Sequence, residues 1–126
     1  MENIFYSKEH YWVDIDNDIV TIGLTNFILD EMDIVNYIEL PSIGAIYNKT
    51  ELMGEINYGD DEQFEIYSIF SGKVIDVNDS IIDNYEQLFS NDKENNWLYR
   101  MYLNSKEELE EELISIDDYE EYLGEL

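Results

Sequence analysis

The sequence predicts a mainly β fold, a small sandwich or barrel with helical appendages, and three observations support this. Short stretches with alternating or β-branched residues follow one another through most of the chain, whereas helical spacing with capping residues dominates after Ser105. At 126 residues, of which 44% are hydrophobic, the chain is long enough to bury a core of ordinary size. Many short strands followed by helices are typical of this architecture, and we expect a single domain over residues 1–126.

A hairpin is the first predicted element. Residues 11–16 alternate with the period of two that is typical of a half-buried strand. A polar turn at residues 16–18 leads to the β-branched stretch 19–24, so residues 11–24 are predicted to pair with one another.

A short helix and another strand are predicted next. Thr25 or Asn26 can cap a helix that runs through residues 27–29. Residues 34–40 then have the composition of a strand, which Pro41 stops because proline lacks the backbone N–H that a sheet ladder needs.

The middle of the chain is predicted to hold a second hairpin and two further strands. Residues 52–57 and 63–70 flank a polar tip, and residues 73–77 form a strand after a turn. Residues 80–89 begin with a capping pattern and carry an apolar face, which predicts a short amphipathic helix. Residues 97–103 form the last predicted strand.

The C-terminal segment changes to helical spacing. Ser105 and Glu108 have the spacing of a capping box, in which each side chain accepts a hydrogen bond from the backbone N–H of the other residue. Ser115 and Asp118 repeat this spacing at the start of a second helix, which Gly124 can end. The intervening run of glutamates is predicted to be the solvated side of the first helix.

The net charge of −25, from 31 acidic and 6 basic residues, restricts the possible partners. A surface this acidic repels phosphate backbones, so we exclude DNA, RNA and anionic membranes. It attracts basic protein surfaces and speeds their encounter, although solubility alone also explains the charge. The chain has no cysteine, no apolar run near the ~20 residues of a membrane span and no secretory signal at its start, so we expect a cytoplasmic protein.

Two acidic clusters and the only histidine have structural interpretations. Asp14, Asp16 and Asp18 are spaced like the first ligands of an EF-hand loop, but Ile19 stands where that loop needs glycine, so a hairpin turn explains them better. Nothing in the sequence places a nucleophile beside His10, so a structural role is favoured over catalysis. A second cluster is predicted to be a solvated turn rather than a Ca²⁺ or Mg²⁺ site, and it comprises Asp60, Asp61 and Glu62.

Several short blocks stand in a fixed order along the chain. Residues 6–13 read YSKEHYWV, residues 20–25 read VTIGLT, residues 33–41 read DIVNYIELP and residues 71–78 read SGKVIDVN; Trp97-Leu98 and residues 118–124 follow. Together they resemble the glycine cleavage system H proteins, whose sequences open with Tyr-Thr-Lys-Glu-His-Glu-Trp. The resemblance covers about residues 4–124.

This resemblance implies a fold, a chemistry and a set of partners. The fold is a barrel-sandwich hybrid like that of lipoyl domains, over about residues 4–104, with short helices and a C-terminal helical segment at about residues 105–124. The chemistry is that of a non-catalytic carrier, in which a lipoyl group is joined to a lysine at an exposed hairpin turn. The partners are the P-, T- and L-proteins of glycine cleavage, whose active sites the lipoyl arm visits.

The chain departs from the family at the attachment position itself. Counting forward from Gly54 places Asp60 there, and counting back from Ser71 places Asp61 there; no lysine lies between Lys49 and Lys73. A carboxylate cannot form the amide bond through which lipoate is attached to an amine, so we expect no cofactor. The remaining residues of the tip are candidates for contact with a partner, and they are Tyr58, Gly59 and Glu62.

Three functional hypotheses remain open from the sequence. The first is a non-lipoylated interaction module that regulates, scaffolds or competes in glycine cleavage or lipoate metabolism. The second is a working H-type carrier that is modified at a non-standard lysine. The third is an acidic structural module for an unrelated basic partner, whose binding would depend strongly on salt.

Overall fold

The computed structural model describes residues 2–126 and contains two antiparallel sheets. The larger sheet has six strands in the order β1-β2-β3-β9-β8-β5, with the bounds β1 Ile4–Tyr6, β2 Tyr11–Asp16, β3 Ile19–Leu24, β5 Ile46–Tyr47, β8 Gly72–Val77 and β9 Tyr99–Leu103. The smaller sheet has three strands in the order β4-β6-β7, with the bounds β4 Val35–Glu39, β6 Leu52–Tyr58 and β7 Glu62–Tyr67. The mainly β prediction is therefore confirmed.

The helices are short and lie at the connections and the C-terminus. They are α1 Asn26–Leu29, α2 Ser80–Asp83, a 3₁₀ segment Tyr85–Phe89, α3 Lys93–Asn96, α4 Glu107–Glu112 and α5 Ile116–Gly124. None of the helices among residues 2–126 is long and apolar enough to cross a membrane.

One hydrophobic core joins the two sheets. Ile22 and Met101 of the larger sheet and Ile38, Ile56 and Ile66 of the smaller sheet belong to the same buried cluster, and each is at most 3% exposed. Removing such a side chain from water contributes about 1.5–3 kcal/mol, so this shared core holds the two sheets together. The arrangement matches the barrel-sandwich hybrid that the resemblance implied.

The second face of β2 is also buried, which differs from the predicted half-buried strand. Tyr11 and Val13 belong to the core cluster, while Trp12 points to the opposite face and is only 1% exposed. The indole of Trp12 lies across Gly23 of the paired strand, where any Cβ would collide with it. Helices α3 and α5 cover this face, so the strand is enclosed on both sides.

Several predicted bounds and helices need correction. The expected helix over residues 80–89 is split at Asn84, whose backbone is extended (φ −146°, ψ 95°). The last strand begins at Tyr99 rather than at residue 97, and residues 93–96 form the short helix α3 before it. The strand predicted at 63–70 ends at Tyr67. Strands β1 and β5 were not predicted.

The capping predictions have mixed outcomes. Ser115 caps α5 as expected, since its Oγ accepts a hydrogen bond from the backbone N–H of Asp118 at 3.2 Å. Thr25 stands at the N-cap of α1 but makes no side-chain cap bond there. The capping box of Ser105 and Glu108 is wrong as a reciprocal pair: Oγ of Ser105 accepts from the backbone N–H of Glu107 at 3.2 Å, but α4 begins after Lys106 and the Glu108 carboxylate binds a different part of the chain.

Candidate functional site

The β6–β7 hairpin carries the candidate site at its tip. Tyr58 pairs with Glu62 at the end of the ladder, which leaves Gly59, Asp60 and Asp61 as a three-residue loop. Gly59 and Asp61 both adopt left-handed backbone conformations, with φ of +55° and +67°. Glycine takes this conformation freely and aspartate is among the few other residues that tolerate it, so this sequence suits a tight turn.

The hairpin is fixed to the neighbouring strand β4 at its base and at its tip. Near the base, Gly54 faces the backbone carbonyl of Glu39 so closely that no Cβ would fit. At the tip, the backbone N–H of Gly59 donates to the carbonyl oxygen of Ile34 at 2.9 Å. The Nδ2 group of Asn36 donates to the carbonyl oxygen of Gly59, also at 2.9 Å. These bonds fix the position of the tip relative to β4.

The candidate residues differ in how far they reach into solvent. Gly59, Asp60, Asp61 and Glu62 are exposed, and both aspartates lie in the loop itself. Tyr58 is half-buried and packs against the core, so it forms the base of the tip instead of protruding from it. The surface that the hairpin presents is thus made of carboxylates.

None of the five lysines lies at the hairpin tip. Lys49 pairs with Glu112 of α4, and Lys106 lies 3.4 Å from an oxygen of Asp18. The ammonium groups of Lys8 and Lys93 lie over the rings of Tyr122 and Trp12, at 5.4 and 5.7 Å from the centroids. Lys73 belongs to β8 of the larger sheet, and Lys93 is the first residue of α3.

His10 occupies a structural position. Its Nδ1 lies 2.8 Å from the hydroxyl of Tyr119, and its ring stacks on Phe27 with centroids 4.3 Å apart. The same hydroxyl of Tyr119 lies 2.8 Å from Oγ1 of Thr25. Burial lowers the pKa of His10, and the nearby Glu31 carboxylate acts in the opposite direction. This chain of groups joins α5 to the larger sheet.

The aspartates that resembled an EF-hand loop lie along a hairpin. Asp14 and Asp16 belong to β2, and Asp18 lies in the turn, where Asn17 adopts a left-handed backbone (φ +56°). The hairpin predicted over residues 11–24 is therefore confirmed, with β2 and β3 paired from Tyr11–Leu24 to Asp16–Ile19.

The whole-chain comparison decides the family. The family model for the glycine cleavage H-protein matches residues 4–126.

The chain belongs to the glycine cleavage H-protein family.

Individual relatives agree with this assignment. The glycine cleavage system H protein of Staphylococcus epidermidis strain RP62A is 33% identical over 120 residues, which cover 95% of this chain and 94% of that protein. The H protein of Thermoanaerobacter sp. strain X514 is 30% identical over 125 residues, covering 99% of this chain and 97% of that one.

A solved structure shows the same fold. The crystal structure of a glycine cleavage system H protein from Mycobacterium marinum superposes with a TM-score of 0.84 and covers 98% of both chains at 20% identity. The H-protein fold implied by the sequence blocks is thus confirmed, as is the expectation of a non-catalytic protein, since H proteins are carriers.

Proposed function

We propose that this H-protein family member is not lipoylated and acts through protein contacts made with the tip of its β6–β7 hairpin. The observation that carries the proposal is the chemistry of that tip. Asp60 and Asp61, the two candidates for the attachment position, present carboxylates on an exposed turn. Attachment of lipoate requires a primary amine at this place, and the tip offers none.

The positions of the lysines support the absence of modification. No lysine belongs to the smaller sheet or to the hairpin tip, so none of them projects from the turn that a lipoate ligase would recognise in an H protein. Lys49 is the lysine closest in sequence to β6, and its ammonium is already paired with Glu112. We therefore favour an unmodified protein over a carrier modified at another lysine.

The family suggests what the partners are. The relatives are named for the glycine cleavage system, so its enzymes, or enzymes that handle lipoate, are the partners we propose. A protein of carrier shape that binds such an enzyme without delivering a lipoyl group would act as a regulator, a scaffold or a competitor of a true carrier. The net charge of −25 favours partners with a basic docking surface.

The intact mass of the protein tests the lack of modification. We would co-express the chain with a lipoate ligase and supplied lipoate, alongside a lipoylated H protein as a positive control. We expect an unshifted mass for this chain. An increase by one lipoyl group would contradict the proposal, and peptide mapping would then identify the lysine that carries it. The variants Asp60→Lys and Asp61→Lys show whether restoring an amine at the tip restores modification.

Binding to purified glycine-cleavage enzymes tests the contact surface. We expect the double variant Asp60→Asn/Asp61→Asn to weaken binding, because it removes two charges from the tip without changing its size. The matched control is Asp117→Asn/Asp118→Asn, which removes two exposed charges from α5. Equal weakening by both double variants would show that only the total charge matters and would favour an acidic module without a specific docking surface.

A further inference from the structure

Strand β7 is an open edge of the smaller sheet. It pairs with β6 on one side, and no strand of residues 2–126 pairs with its other side. Proteins often protect such an edge with a lysine, a proline or a bulge, because its free backbone groups can pair with another chain. The sequence of β7 is EQFEIY, without lysine or proline, and the irregularity of this ladder lies in β6, between Leu52 and Gly54. The edge is therefore open to a further strand.

The bonds at the end of β7 show which way its backbone groups point. The backbone N–H of Ser68 donates to the carbonyl oxygen of Glu51 at 2.8 Å, and its carbonyl oxygen accepts from Thr50 at 2.7 Å. Ser68 thus points toward the chain that leads into β6. The backbone N–H of Tyr67 instead donates to the hydroxyl of Tyr11 at 3.4 Å, so Tyr67 points away from β6.

This alternation continues along β7 toward the hairpin tip. Backbone direction reverses from one residue of a strand to the next, so the N–H and C=O groups of Glu65 and Gln63 point away from β6, as those of Tyr67 do. Both residues are exposed, and no backbone group outside the β6–β7 ladder bonds to either of them within residues 2–126. Each therefore presents a free backbone donor and a free acceptor at the edge.

A row of three glutamates crosses the smaller sheet on the face turned away from the core and ends at this edge. Glu39 is paired with Glu55, and Glu55 is paired with Glu65, so the three stand directly opposite one another on successive strands. None of them makes an ion pair within the part of the chain that the structure describes. Neighbouring strands lie about 4.8 Å apart, and like charges that are directly opposite destabilise a sheet. A positive charge beside Glu65 would offset this repulsion.

The other face of β7 is apolar next to the same edge. Ile66 is buried, and Phe64 is half-buried, with its ring centroid 6.1 Å from that of Tyr11. Side chains that are paired across two strands lie on the same face of the sheet. Apolar residues opposite Phe64 and Ile66 on an added strand would therefore cover the exposed part of the Phe64 ring, which is favourable.

We propose that the open edge of β7 binds an extended segment of a partner protein in which a basic residue stands between two apolar residues. The segment adds a fourth strand to the smaller sheet, antiparallel like the three already present. Its basic residue is paired with Glu65, and its apolar residues lie opposite Phe64 and Ile66. Backbone bonds to Gln63 and Glu65 give affinity, and the alternating side chains give specificity.

A second copy of this chain does not suit the edge. Pairing of two β7 strands would bring the glutamates of both copies into one short ladder, between two proteins that each have a net charge of −25. A basic partner segment removes this repulsion. The edge does not include Asp60 or Asp61, so this inference is independent of the function proposed for the hairpin tip.

Binding of a short peptide to the full chain tests the proposal. The probe is the pentapeptide TVRVT, acetylated and amidated at its ends, and binding is followed in ¹H–¹⁵N correlation spectra. We expect saturable binding, with the largest shifts at the backbone N–H groups of Gln63 and Glu65. Hydrogen exchange of these two groups should become slower when the peptide is bound, because each then donates to a peptide carbonyl oxygen.

Two N-methylated forms of the peptide are a matched pair. A methyl group on the backbone nitrogen of the arginine removes the N–H that bonds to Glu65, so it should abolish binding. A methyl group on the backbone nitrogen of a valine removes an N–H that points away from β7, so it should leave binding almost unchanged. Equal binding of the two methylated peptides would overturn the proposal, as would the absence of saturable binding of TVRVT.

A change of charge at Glu65 tests the register. Glu65→Lys should weaken binding of TVRVT about fivefold and strengthen binding of the peptide TVEVT, because it reverses the charge opposite the central residue. Glu121→Lys makes the same change of net charge on an exposed position of α5 and should affect both peptides little. If Glu121→Lys has the same effect as Glu65→Lys, the peptide responds only to total charge and the proposed pairing is wrong.

Discussion

Tyr119 joins the C-terminal helix to the larger sheet through its hydroxyl. That group lies 2.8 Å from both Thr25 and His10, residues that are 94 and 109 positions away in the sequence. The spacing of Ser115 and Asp118 predicted the helix that carries Tyr119, and His10 was expected to have a structural role. That these residues meet could not be predicted, because no local spacing relates one end of the chain to the other.

Replacing this hydroxyl should destabilise the protein. In Tyr119→Phe, Thr25 and His10 each lose a hydrogen-bond partner in a largely buried place, so we expect the free energy of unfolding to fall by about 1–3 kcal/mol. Urea denaturation measures the change. Tyr122→Phe on the same helix is the control, since no hydrogen bond of the Tyr122 hydroxyl occurs within residues 2–126. Equal losses in the two variants would contradict this role for Tyr119.

The sequence predicted the position of the candidate site but not the contacts that fix it. The sequence placed Asp60 and Asp61 at a hairpin tip, and the structure has both in the three-residue loop. Whether either residue corresponds to the attachment position stays a prediction. The bonds that hold the tip could not be predicted, because they come from Asn36 of β4 and from Ile34, which lies just before that strand.

Helix α4 shows how a distant contact overrides a local pattern. Ser105 and Glu108 have the spacing of a capping box, but the Glu108 carboxylate accepts from the backbone N–H of Ser71 at 3.1 and 3.2 Å. Ser71 lies just before β8 and would otherwise have a half-buried N–H without a partner. A charged acceptor satisfies that donor strongly, so the tertiary bond replaces the local one.

This bond should anchor α4 to the larger sheet. We expect Glu108→Ala to lower the free energy of unfolding by about 1–3 kcal/mol, because it leaves the Ser71 N–H unpaired. Glu110→Ala removes an exposed glutamate from the same helix and should change stability by less than about 0.5 kcal/mol. Chemical denaturation of both variants provides the comparison. If the two alanine variants behave alike, α4 is not held by Glu108.

The two missed strands share a physical cause. Strand β1 has three residues and β5 has two, and they are the two edges of the larger sheet. A strand this short has no room for an alternating pattern, and its position is set by the neighbour with which it pairs. The longer strands carry enough residues for their period to be visible, so all of them were predicted, and the bounds of β2 and β3 agree with the predicted ranges 11–16 and 19–24.

The many carboxylates of the protein repel one another. Its net charge is −25, and the structure has three ion pairs within residues 2–126. Exposed ion pairs contribute little, at about 0–1 kcal/mol each, so they do not offset the repulsion between carboxylates. The hydrophobic core shared by the two sheets must supply most of the stability.

Salt should therefore stabilise this protein. Raising NaCl from about 0.01 M to about 1 M shortens the Debye length from about 30 Å to about 3 Å, which screens the repulsion, and we expect the Tm to rise. Scanning calorimetry across this range measures the effect. The triple variant Glu110→Gln/Glu111→Gln/Glu121→Gln should have a higher Tm at low salt and a smaller rise with salt. A Tm that falls with salt would show that the ion pairs outweigh the repulsion.

The fixed hairpin tip has a consequence for the thermodynamics of recognition. Ordering a flexible loop when a complex forms costs about 1–2 kcal/mol of conformational entropy for each residue. Here Gly59 is bonded to Ile34 and Asn36, so much of that ordering has already occurred in the free protein. A partner would bind an acidic loop whose conformation is already fixed. Complex formation at the tip should therefore cost little conformational entropy of the loop.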